Sequence, residues 1–209
     1  MCCSIAICGM APRALEKGVG RLTDLAPNQT YSRTARRFHW WTVALVAFQI
    51  PVGIVMSYRG PGLNIWDATT NALYSSHKLV GFILLWVVLA RLIYRLWHGA
   101  PGHEPTIEPW QRVASRINHW SLYGLLIVLP LLGWLGVSLY PAREIFGLFS
   151  LPALAAPNQA AAEWVLFVHN ALAVLLMALV GLHVGAALYH YFIRKDGVLQ
   201  RMLPRRGET

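Results

Sequence analysis

Charge is scarce in this chain. Asp, Glu, Lys and Arg make up 13% of its 209 residues, against about 25% in an ordinary soluble domain. With 56% apolar residues beside them, that shortage argues against a soluble enzyme. Acidic residues are rarest: nine face 18 basic ones, leaving +9 with eight histidines uncounted. A basic chain this apolar is expected to meet membrane lipid, and no nucleic acid. Cysteine is confined to Cys2, Cys3 and Cys8, far from the hydrophobic runs, so no disulfide framework is implied. The stretch MCCSIAIC lacks a basic region ahead of its short apolar part and reads as neither a cleaved signal peptide nor a span. Residues 1–30 are expected to form a poorly ordered extension, and Met10 is a second candidate for the initiator.

What is abundant is uninterrupted apolar sequence. A spanning helix needs about 20 mostly apolar residues, and four windows qualify: 38–57, 77–97, 117–140 and 164–193. Arg91 and Arg95 at the end of the second are expected to snorkel toward an interface. Pro51 and Pro130 fall inside spans and are expected to kink them. The intervening segments 60–76, 100–109 and 141–163 read as loops. All but Arg59, Lys78 and Arg143 of the 18 Lys and Arg fall before span one, between spans two and three, or after span four. The positive-inside rule then puts both termini in the cytoplasm. The expected fold is an all-α, integral membrane four-helix bundle over residues 31–206, in a bacterial inner membrane by the resemblance given below.

Topology gives each histidine a depth. His98 and His103 fall in the loop between spans two and three and read as solvated. His39 opens span one near the inner end, and His77 opens span two near the outer end. His169 and His183 lie in span four, 14 residues apart, which at 100° each is within about 40° of four full turns and about 21 Å of axis. Both rings face one way, and His190 stays near that face. Depth alone pairs His77 with His169 and His39 with His183. Taken singly, a histidine at a helix end is ordinarily an interfacial residue. Four of them at two matched depths are what two bis-histidine b-type haems in a bundle core require. There is no C-x-x-C-H for a covalently attached haem, and no thiolate or carboxylate accompanies the pairs as a zinc site would need. Gly53, Gly81, Gly133, Gly136, Gly181 and Gly185 fall in spans, the last two as a G-x-x-x-G, and read as helix contact at least as readily as room for a macrocycle.

The segments YSRTARRFHWW (31–41), SHKLVGF (76–82), HWSLYGLLIVLPLLG (119–133), WVLFVHNALA (164–173), GLHVGAAL (181–188) and YHYFIRKDGVLQRMLPRR (189–206) resemble the prokaryotic cytochrome b561 family. The likeness covers about residues 31–206. It implies haem ligation by His39, His77, His169 and His183, two haem b, and ubiquinone as electron acceptor. It places His119 and His190 near a quinone or the haem propionates, with an outer quinone site as the alternative. Tyr189 departs from the family, where a second histidine would stand. The donor that the resemblance implies is superoxide at the periplasmic face, and Arg59, Lys78 and Arg143 would form an anion-attracting mouth there. The alternative is an electron-transfer subunit serving a partner dehydrogenase or hydrogenase, with the loop 141–163 as docking surface.

Overall fold

The computed structural model describes residues 30–102 and 104–203. The expectations for the N-terminal extension, its cysteines and His103 lie outside them. Four long helices dominate: α1 (Arg33–Ser57), α2 (Ala68–His98), α3 (Pro109–Leu139) and α4 (Gln159–Tyr189). All four are long and apolar enough to cross a membrane. Each begins before its apolar window, because a polar residue or proline at its start satisfies or removes orphan N–H groups. Ser32 Oγ accepts from Ala35 N, Asp67 Oδ1 from Thr70 N and Asn158 Oδ1 from Ala161 N. Pro109 opens α3, where its missing N–H costs nothing.

These starts correct the loop boundaries. α1 runs on through a π turn (Tyr58–Gly62) and α2 begins at Ala68, so the expected loop 60–76 shrinks to the few residues between them. His77 therefore lies well inside α2. His98 ends α2 rather than lying in a loop, and its ring stacks on Tyr94 with centroids 4.1 Å apart. In the loop after α3, β1 (Glu144–Ile145) pairs antiparallel with β2 (Phe149–Ser150). Phe146 and Gly147, both at positive φ, make the turn.

Packing is sequential. α1 lies on α2, α2 on α3 and α3 on α4, while α4 makes no comparable backbone approach to α1 or α2. The apolar core sits at mid-depth, formed by Val46, Leu84, Val88, Tyr123, Leu126, Leu129 and Leu176. Above and below it, rings bridge α4 to α1 and to α2. A Cβ on Gly181 or Gly185 would meet nothing within 4 Å, so within this chain the G-x-x-x-G joins no helices. Instead Gly136 admits the Leu166 side chain, which would stand 2.5 Å from a Cβ there. We call the end that carries residues 30 and 203 the terminal end and the opposite one the far end.

Candidate haem-binding site

Two ring pairs cross the gap between α4 and the α1/α2 pair. At the far end His77 of α2 faces His169 of α4 with centroids 6.3 Å apart and planes 77° apart. At the terminal end His39 of α1 faces His183 of α4 at 6.2 Å and 65°. A metal–imidazole nitrogen bond is about 2 Å and the ring centroid lies about 1 Å behind that nitrogen, so two imidazoles sharing one metal stand about 6 Å apart. Both pairs have that separation. His119 of α3 also faces His183, but at 5.1 Å, which is too close for one metal between them.

The surroundings of each ring fit ligation in part. His169 Nδ1 lies 3.0 Å from the Leu129 carbonyl. Donation there puts the proton on Nδ1 and leaves Nε2 free to bind a metal. Gly53 and Gly133 stand where a Cβ would come within 3.2 Å of His77 Cε1 and 3.3 Å of His169 Cε1. The far-end pair thus sits in a cradle made by two glycines. His77 Nδ1 is buried without a partner among the described residues, and so is Oε1 of Gln49, whose Nε2 donates to the His77 carbonyl at 3.1 Å. Leaving both buried costs on the order of 1–3 kcal/mol each.

At the terminal end the Arg91 guanidinium lies 3.1 Å from His39 Nδ1 and 5.2 Å from the Tyr123 ring centroid. Arg91 thus faces inward rather than snorkelling as expected, while Arg95 lies over Trp120 and Tyr123. Arginine only donates, so this contact makes His39 Nδ1 an acceptor and places the proton on Nε2. A metal on His39 Nε2 therefore requires Arg91 to release Nδ1. His119 Nδ1 is held by the Ser115 carbonyl at 2.6 Å. Charge inside a span was the signal for Arg91, and small size inside a span the signal for Gly53 and Gly133; Gln49 had none beyond its place in a span.

The three far-end basic residues are all engaged. Arg59 pairs with Asp67 at 2.6 Å. Lys78 donates to the Ala142 and Glu144 carbonyls, and Arg143 donates to Leu151 O at 2.7 Å. The carbonyls leave Lys78 and Arg143 charged, whereas Arg59 is neutralised. The backbone N–H of Thr70, with the Arg59 guanidinium, holds the Asp67 carboxyl down to about 2. A depressed carboxyl contributes above its ordinary titration range and loses that contribution as pH falls through the folded value, so the Arg59 pair persists at neutral pH. His190, at the terminal end, is apart from the ring pairs and bonded to Asp196.

The family model described as prokaryotic cytochrome b561 matches residues 30–205. Cytochrome b561 homolog 2 of Escherichia coli (strain K12) is 31% identical over 177 residues, 84% of this chain and 92% of the relative. Cytochrome b561 homolog 1 of the same organism is 30% identical over 182 residues, 84% of this chain and 98% of the relative. A Yersinia pestis protein named probable superoxide oxidase CybB is 30% identical over 134 residues, 62% of this chain and 74% of the relative.

Proposed function

The chain belongs to the prokaryotic cytochrome b561 family of haem membrane cytochromes, and from that membership we propose that it moves single electrons across the bilayer, from superoxide at the periplasmic face to ubiquinone. The observation that carries the reading is the two ring separations of 6.2 and 6.3 Å at two depths of one bundle. Two b haems with both axial positions filled by histidine would supply one-electron chemistry with no open position for oxygen or substrate. His39 and His183 would hold the inner one, His77 and His169 the outer.

The chain's own groups set the rest. The terminal end is cytoplasmic in this reading, since of the described Lys and Arg it carries all but Arg59, Lys78 and Arg143. The Leu129 carbonyl keeps the His169 proton on Nδ1, and Gly53 and Gly133 keep side-chain bulk away from the outer rings. Quinone reduction near His119 and His190 takes two electrons and two protons, so two superoxide ions become two oxygen molecules for each quinol formed. The relative named a probable superoxide oxidase supports the donor.

At the outer face Lys78 and Arg143 attract the anion. Asp67, by neutralising Arg59, limits that attraction. Asp67→Asn is therefore expected to raise the rate of haem reduction by superoxide about two-fold at low ionic strength, with the gain vanishing in high salt. Stopped-flow spectra at two salt concentrations measure it; an equal rate in both variants at low salt contradicts the steering.

Anaerobic superoxide pulses on the purified protein with added ubiquinone test the whole reading. Haem bands that reduce and then reoxidise as quinol accumulates support it. A chain that accepts nothing from superoxide yet is reduced by a partner dehydrogenase returns the subunit alternative.

A further inference from the structure

Among the described residues, buried polar side chains concentrate at the terminal end, beyond the ring pairs. His190, Glu104, Gln200 and Arg201 are each more than nine-tenths buried, although all lie in the last turn of span four or in loops. The chain turns back at Lys195 through a left-handed residue at φ 53. That turn brings Asp196 Oδ2 to 2.6 Å from His190 Nδ1 in a buried pair. Thr106 Oγ1 reaches the same carboxylate at 3.4 Å, and Val198 N donates to its other oxygen at 3.3 Å. Arg194 donates to the Thr106 carbonyl and Arg201 to the Gly102 carbonyl. The loop before α3 and the segment after α4 are thus knitted together.

Glu104 lies inside that knot. Its carboxyl rests against Gly197, where a Cβ would be 3.3 Å from Oε2, and Oε2 is buried with no partner among the described residues. A buried carboxyl oxygen without a protein donor is a place where water binds, and a carboxyl in contact with water exchanges protons with it. The dyad beside it has the matching chemistry. With Nδ1–H of His190 held by Asp196, Nε2 is the atom free to take and give a proton. His190 follows His183 by seven residues, about 10 Å of axis on nearly the same face.

We propose that Glu104, His190 and Asp196 form the proton-entry group of this protein, passing protons from the cytoplasmic water to the quinone as it is reduced. The inference rests on the quinone reading above. Each quinone carbonyl oxygen gains one proton and the ring gains two electrons; each proton leaves His190 Nε2, which is reloaded from Glu104, and Asp196 holds the ring throughout. Arg194 and Arg201, bonded to the Thr106 and Gly102 carbonyls, are cations beside the group and offset negative charge there.

The test separates acceptors that need protons from one that does not. Haem-loaded, prereduced full-length protein is mixed with decylubiquinone or with ferricyanide, which takes electrons without protons. Glu104→Gln, His190→Gln and Asp196→Asn are expected to slow reoxidation by decylubiquinone about 100-fold while leaving haem content and the ferricyanide rate at the wild-type level. His190→Gly is expected to regain part of the quinone rate with added imidazole. Equal slowing with both acceptors, or wild-type quinone rates in all three variants, overturns the proposal. Wild-type protein that reduces ferricyanide but no quinone overturns the quinone reading and this one with it.

Discussion

Replacing His39 by alanine is expected to remove one haem and leave the other, whereas replacing His119 by alanine is expected to leave both. The two residues compete for the same partner, since both rings face His183. Their separations decide between them. His39 stands 6.2 Å away and leaves room for one metal between the rings, while His119 stands at 5.1 Å and does not. His119 is also tied to its own helix by the Ser115 carbonyl. Losing a supporting hydrogen bond to a ligand costs about 10–100-fold in metal affinity, and losing the ligand itself costs more. Haem content by pyridine haemochrome is therefore expected to halve in the His39 variant and to stay at the wild-type value in the His119 variant. The reverse result would exchange their roles.

Replacing His169 by alanine has the largest expected effect on activity. The residue serves the far-end pair alone, about 21 Å along α4 from His183. One haem per chain is expected to remain, held at the terminal end and still reduced by dithionite. Superoxide arriving at the outer face then has no centre at its own depth, so quinone reduction driven by superoxide is expected to fall by about 100-fold or more. His77→Ala gives the same phenotype, because both rings hold one centre. The checks are the haem count and the superoxide-pulse rate on the same preparation. A full rate with one haem missing would mean that the far-end pair is not on the electron path.

The parts of this fold that were legible in the sequence are those that hydrocarbon dictates. Four apolar windows mark four helices because no other backbone spans a bilayer with its hydrogen bonds satisfied. Their ends were not legible. Asp67 and Asn158 start helices through side-chain caps several residues ahead of the apolar run, and hydropathy registers neither. The pairing of rings was legible because topology sets depth and a 14-residue step on one helix sets face. Arg91 was not, since an arginine near a span end ordinarily reaches for the interface, and here it turns inward to His39 and Tyr123. Glu104 and Asp196 stand outside the apolar windows, where hydropathy carries no signal. Only the chain reversal at Lys195 and the absence of a side chain at Gly197 bury them together.

The central claim is that one chain holds two bis-histidine b haems at two depths. Haem stoichiometry and coordination on the purified full-length protein test it most directly, by pyridine haemochrome against protein mass together with low-temperature EPR of the oxidised form. The account predicts two haem b per chain, both low-spin because both axial positions are histidine. One haem or none per chain, or a high-spin ferric signal from an open axial position, would contradict it.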